Sequence, residues 1–309
     1  MNEPNPTGDA FRPATADEVK LASQHAASES PGERAWRRLT RSRVTVAAML
    51  FMVALVGICI LGPLLSSYDQ SQQDLELKAA GPSFSHWLGT DPLGRDLLTR
   101  ILFGGRISLL VGILATGVAS VIGVAYGLIA GLSGRRMDAL MMRVVDVLYA
   151  FPFITFVIIL VVVFGREFWL IFVAIGAVEW LTMARVVRGQ VLALKNLEFV
   201  LAARASGAGF WHILIQHMLP NVMGPVIIYA SLTVPGVMLL EATLSFLGLG
   251  IQPPNASWGV LLREGADNME TYPWMLIGPG LFFSATLLAL NIIGDALRDA
   301  LDPKSGAGE

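Results

Sequence analysis

Cysteine occurs once in this chain, at Cys59, so no disulfide can form within it. Cys59 lies inside an apolar run and reads as a small buried or lipid-facing side chain. Charge is scarce as well. Asp, Glu, Lys and Arg make up 15% of the 309 residues, against about 25% in a soluble domain. The net charge is only −2, too small for the basic field of a nucleic-acid binder, and no nucleic-acid partner is expected.

The motifs of several chemistries are missing too. There is no G-x-x-x-x-G-K-[ST] loop to cradle a nucleotide phosphate. There is no G-x-S-x-G elbow and no carboxylate pair spaced for hydrolysis. His212 and His217 are five residues apart, which on an α-helix misses the i, i+4 spacing of two ligands on one face. No metal site, no catalytic residue and no cofactor in this chain are therefore expected. Nor is an internal repeat of the kind found in secondary transporters evident.

What the chain has is hydrophobic length. Apolar residues account for 54%, and the mean hydropathy is +0.61. A membrane-crossing helix needs about 20 such residues. Candidate spans are Val44–Leu65, Ile107–Gly131, Val144–Phe164, Phe168–Val187, Val222–Leu247 and Trp274–Leu297. The expected fold is an all-α membrane protein with about six spans. Residues 1–35 form a polar tail rich in Pro, Ser, Ala and Glu, which reads as disordered. Residues 36–66 hold the first span, 67–106 an outer loop with a short helix, 107–298 the remaining bundle and 299–309 a second tail. The first apolar run starts too late and runs too long for a secretory signal, so it is expected to remain in the mature protein.

Lys and Arg orient the bundle. With the N-terminus in the cytoplasm, sixteen fall inside and six outside, and Arg34, Arg37, Arg38, Arg41 and Arg43 abut the first span, where the bias weighs most. Both termini are expected in the cytoplasm. Pro152, Pro225, Pro235 and Pro279 lie in or near spans, predicting kinks whose freed backbone groups need protein or water neighbours. Gly123, Gly127 and Gly131 leave one face of the second span bare, a close-packing signal.

Three segments stand out. Residues 189–221 form an inner loop: a helix is expected over Leu197–Ala205, stopped at Gly207, then a short amphipathic segment, Phe210–Met218, ending before Pro220. Ala202, Ala203, Ala205 and Gly207 make a backbone that another surface can approach, a docking handle. Outside, His86–Gly112 contains Asp91-Pro92, read as N-cap and first residue of a helix carrying Leu97, Leu98, Ile101 and Leu102, with Arg95, Asp96 and Arg100 beside them. Glu241–Ala256 follows the fifth span and contains L-S-F-L-G-L-G.

The inner loop resembles the coupling loop of ATP-binding-cassette importer permeases. Its pattern is Glu-Ala-Ala, three residues, Gly, nine residues, Ile, one residue, Leu-Pro. Leu201, Ala202, Ala203, Gly207, His217, Leu219 and Pro220 hold those positions with the spacing intact. Leu201 stands for the glutamate and His217 for the isoleucine. The stretch G-T-D-x-L-G-R-D, the Met141–Asp146 region, Leu244–Gly250 with Trp258-Gly259, and the closing Asn291–Lys304 segment resemble the C-type permeases of oligopeptide and dipeptide importers. The resemblance runs from about Trp36 to Lys304.

That resemblance implies a type I importer permease fold in a bacterial inner membrane and a non-enzymatic role in peptide uptake. It also implies a second, homologous permease, two ATP-binding subunits that carry ATP and Mg and dock at the 189–221 loop, and an extracytoplasmic substrate-binding protein. Oligopeptides lead as substrate, with dipeptides, murein peptides and nickel chelates as alternatives. Ionisable groups in lipid mark a path or a partner. Glu241 and Glu179 are thus candidates for the translocation path, each otherwise held by a neighbouring helix, and Arg95 and Asp96 are candidates for a binding-protein contact or an intramolecular ion pair. A self-sufficient secondary transporter or channel is the competing class.

Overall fold

The computed structural model describes residues 31–165, 169–252 and 254–301. Most of the N-terminal tail, residues 302–309 of the second tail, Arg166 and Lys304 lie outside these residues. Among the described residues ten helices follow one another: α1 (Pro31–Arg41), α2 (Arg43–Leu65), α3 (Leu97–Leu132), α4 (Arg135–Tyr149) and α5 (Phe153–Phe164). Then come α6 (Leu170–Leu194), α7 (Glu198–Ala205), α8 (Phe210–Phe246), α9 (Trp258–Asp267) and α10 (Trp274–Leu301).

Among the described residues α2, α3, α6, α8 and α10 are long and apolar enough to cross a membrane, and α4 with α5, a pair bent by 78°, makes a sixth when counted as one broken span. Five to six spans agree with the expected count of about six. The bend falls at Pro152, whose ring disfavours helical backbone at Phe151. Two expected boundaries move. The outer helix and the second span are one 36-residue helix, α3, about 54 Å long at the usual rise. It begins at Leu97 with Asp96 as N-cap, accepting from the Thr99 amide at 2.8 Å, not at Asp91. The fifth span likewise starts at Phe210, because a π-helical stretch over Ile213–Met218 shifts the hydrogen-bond ladder just before Pro220 and lets the chain pass through it.

The bare face of α3 is filled by α6. A Cβ on Gly123 would lie 2.6 Å from the Met183 Cβ, one on Gly127 2.6 Å from the Ala184 carbonyl, and one on Gly131 2.7 Å from the Val191 Cβ. At the inner end Arg188 grips Asp138 of α4 with two bonds, Nε at 2.5 Å and Nη2 at 2.8 Å. Lys195 donates to the Gly131 carbonyl at 3.1 Å.

The first span shows how a proline is tolerated. Pro63 has no N–H to give the Cys59 carbonyl one turn earlier. Arg106 of α3 supplies the donor: its Nε bonds the Cys59 oxygen at 2.6 Å, and Nη2 donates to the Ile60 oxygen. The guanidinium also lies over the Phe103 ring, 4.9 Å from its centroid. One side chain thus completes the ladder of α2 and fastens it to α3.

Arg106→Met should destabilise the protein by about 1–3 kcal/mol, the usual cost of an orphaned buried acceptor. Adding Pro63→Ala restores an intrahelical donor and should recover a substantial part of the lost thermal midpoint. No recovery in the double variant would show that Arg106 acts otherwise.

Candidate functional site

At the inner end, α7, the π-helical stretch and the start of α8 form an elbow. Its underside is core: Val200, Ile213, Leu214, Met218 and Val222 pack with Val187 and Val191 of α6 and Leu128 of α3. Its outer side is unusually apolar for an exposed surface. Leu197, Phe199, Leu201, Phe210, Trp211 and Ile215 are all exposed, Trp211 the most at 63%. Ala202 and Gly207 are exposed beside them, and Ala203 is half-buried. Such a patch on a rigid base marks an interaction surface.

Gly207 ends α7 as its spacing predicts. Its φ is +84°, the left-handed region, and the Ala208 amide closes back on the Ala203 carbonyl at 3.0 Å. His217 sits inside the elbow, its ring 6.2 Å from Phe199 of α7. The π-helical turn also brings His212 and His217 together, ring centroids 5.7 Å apart. The spacing argument that separated them assumed α-helical geometry and fails here. Among the described residues no group of three or more His, Cys, Asp or Glu side chains fit to hold a metal forms at all. Leu219 and Pro220 begin the crossing part of α8.

The two membrane carboxylates part company. Glu241 is fully buried (0% exposed) and accepts at Oε1 from Ser245 and Ser257, each at 2.6 Å. Ser108 of α3 stands beside the same carboxyl, while Oε2 makes no bond of normal geometry. Ser257 is also the N-cap of α9, so Glu241 ties α8 to α9 and has no surface toward a cavity in this conformation. Glu241 thus makes the neighbouring-helix contact of its alternative reading.

Glu179 is half-buried on α6. Tyr229 of α8 stands near it and near Tyr149 of α4, and the Thr233 hydroxyl donates to the Tyr229 backbone carbonyl at 2.8 Å. Arg185, one turn and a half further on, lies 4.4 Å over the Tyr149 ring and bonds Asp146 at 3.0 Å. Sequence reasoning singled out Asp146 only as the end of the Met141–Asp146 resemblance and missed Tyr149 and Tyr229, because a lone tyrosine carries no motif. Helical wheels of α4, α6 and α8 aligned on Glu179 are the signal that would have found them. Together these residues make a polar stripe on an otherwise apolar bundle.

The outer loop turns its charges inward. Asp91 is wholly buried, and its carboxylate accepts from the Leu93 and Arg95 amides at 2.9 and 3.0 Å, from Arg95 Nε at 2.6 Å and from Arg100 Nη1 at 2.7 Å. Arg100 then bonds Glu264 of α9 through both terminal nitrogens, at 2.6 and 3.1 Å. Asp96 caps α3 and pairs with His86 at 2.9 Å. Arg95 and Asp96 are 8% and 6% exposed, so neither has surface to offer a binding protein in this conformation. They form the intramolecular ion pairs instead, and Asp91, expected to cap a helix, is the hub of the loop because four donors converge on it.

Comparison with known proteins gives a consistent result. Residues 123–306 match the binding-protein-dependent transport system inner membrane component family, and residues 30–82 match the N-terminal transmembrane domain of oligopeptide transport permease C. The chain is 48% identical over 270 residues to the oligopeptide transport system permease protein OppC of Haemophilus influenzae, covering 87% of each chain. It is 48% identical to OppC of Escherichia coli K12 over 282 residues, 89% of this chain and 93% of the other. Against the dipeptide transport system permease protein DppC of Bacillus subtilis the identity is 44% over 290 residues, 94% of this chain and 89% of that one.

The geometry at Glu241 separates a structural from a charge-bearing role. Glu241→Gln keeps an oxygen for both serine hydroxyls and should leave uptake and thermal midpoint near those of the parent. Glu241→Leu strands both hydroxyls and should lower stability by about 1–3 kcal/mol for each. Loss of uptake in the stable glutamine variant would assign Glu241 to the path after all.

Proposed function

The chain belongs to the family of binding-protein-dependent transport system inner membrane components, and from that membership and the two faces above we propose that it is the membrane-spanning permease subunit of an ATP-driven oligopeptide importer. The carrying observation is the elbow, where exposed Leu201, Phe210 and Trp211 stand on a base locked into α3 and α6. A separate ATPase subunit docks there, with Gly207 setting the angle between the elbow's two arms. Two such ATPases, a second homologous permease and an extracytoplasmic binding protein complete the assembly. Both termini lie in the cytoplasm, which puts the elbow on the ATPase side.

The polar stripe is the translocation path. Glu179 offers a carboxylate to a peptide ammonium, while Tyr229 and Tyr149 present hydroxyls that bond peptide groups without reading side chains. Arg185 and Asp146 continue the stripe toward the elbow. ATPase closure moves the elbows, and since α7 and α8 share a core with α6, the stripe turns with them from one side of the membrane to the other. The direction follows from differential binding of the two states by ATPase and loaded receptor. A dipeptide substrate is the second reading, favoured by the 44% identity to the Bacillus subtilis dipeptide permease.

Three measurements test this. The purified chain should carry an ATPase with it, and Trp211→Glu should release that partner. Gly207→Asn, which tolerates left-handed backbone, should retain at least half of uptake, whereas Gly207→Val, strained by about 1 kcal/mol or more, should uncouple ATP hydrolysis from uptake. Reconstituted with its binding protein, the complex should take up tetra- and pentapeptides, and Glu179→Gln should slow that uptake about tenfold, or 1.4 kcal/mol. Uptake driven by an ion gradient without an ATPase would refute the reading, and uptake of dipeptides alone would select the second.

A further inference from the structure

The 78° bend between α4 and α5 keeps the two helices from lying together along α6. The gap left at the turn is a cavity of about 210 Å³, lined by Leu148, Phe151, Phe153 and Phe156 and by Ala177 and Val178 of α6. All six side chains are apolar. Phe151 and Leu148, 59% and 45% exposed, form its open rim, and the other four are half-buried. An apolar cavity of about 150 Å³ lined by such side chains stays dry and takes up a benzene ring.

The cavity adjoins the polar stripe through both helices that carry it. On α6, Val178 and Arg185 are seven residues apart and therefore share a face. Glu179 follows Val178 directly. On α4, Leu148 lines the cavity and the next residue, Tyr149, lies under Arg185, 4.4 Å from its guanidinium. Charge and hydroxyl groups thus give way to three phenylalanines within one turn. A ligand that spans this boundary carries a cation and an apolar group close together. A peptide's first residue meets that description, because its ammonium and its side chain leave the same Cα.

We propose that the cavity receives the side chain of the peptide's first residue while Glu179 holds its ammonium, so that the path itself favours peptides beginning with Phe, Leu or Met. The proposal rests on the reading of the stripe as the translocation path. An apolar side chain entering the cavity leaves water and gains contact with the rings. A serine hydroxyl placed there finds no hydrogen-bond partner and is penalised. The membrane subunit thereby adds a selection of its own to that made by the binding protein.

The test uses the reconstituted full complex with its binding protein and tetrapeptides that differ only in the first residue. Comparing each variant with the parent as a ratio of two peptides cancels the binding protein's own preference. Ala177→Phe fills the cavity and should lower the Phe-first to Ser-first uptake ratio about tenfold, the lower end of what burying one such side chain yields. Phe156→Ala enlarges it and should raise the Trp-first to Leu-first ratio, a gain that misfolding cannot produce. A peptide beginning with p-benzoylphenylalanine, photolysed in the complex, should attach to residues 148–156 or 177–178. Ratios unmoved by both variants, or attachment only elsewhere or to lipid, overturn the proposal. If Glu179→Gln leaves uptake of the Ser-first peptide intact, the stripe reading fails and takes this proposal with it. If that variant slows uptake while both ratios stay fixed, the cavity assignment alone fails.

Discussion

Hydrocarbon offers no hydrogen bonds, and three polar or proline interruptions of this bundle are arranged around that constraint. Pro63 would leave the Cys59 carbonyl orphaned in the first span, and Arg106 reaches across from α3 to supply the donor. Pro220 interrupts the ladder of α8, and a π-helical turn shifts it just ahead of the break. Glu241 would be expensive alone, and two serine hydroxyls from different elements turn it into a joint between α8 and α9. For Pro63 and Glu241 the repair comes from another element and doubles as a fastening, whereas the break at Pro220 is accommodated within α8.

These fastenings differ between the two ends of the molecule. The outer loop, α9 and the outer part of α3 are bound by a network of charges, with Asp91 and Arg100 buried and Glu264 half-buried. Charged groups held this way form a rigid cover, since moving one member strands the others. At the other end the elbow rests on apolar packing with α6 and α3, and the stripe is carried by α4, α6 and α8. The outer end is thus held by a buried charge network and the elbow by apolar packing.

Much of the fold was legible in advance because the bilayer imposes it. Six apolar stretches of adequate length, a glycine-lined face and a bend at Pro152 follow from residue type alone, and Gly207 announced the end of α7 since few other residues adopt its backbone. The elbow was legible as a small-residue helix followed by a break. Three things were not. Asp91 looked like a helix cap because Asp-Pro is a common start, yet four donors from Leu93, Arg95 and Arg100 converge on it. Arg95 and Asp96 were open between a binding-protein contact and an intramolecular ion pair, because residue type and spacing alone do not say which way a loop turns its charges. His212 and His217 looked unrelated because α-helical spacing was assumed for them.

The sequence by itself determined that the chain is built for a membrane, that it has about six apolar stretches long enough to cross it, and where a small-residue helix breaks at Gly207, because hydrophobic length and small-residue spacing are properties of local sequence. Only the tertiary structure decided which ionisable groups face outward. Glu179 and Glu241 are the same residue type in spans of similar composition. One stands half-exposed beside Tyr229, and the other is sealed under Ser245 and Ser257. The difference lies in which helix packs against each, a long-range fact that no local pattern encodes.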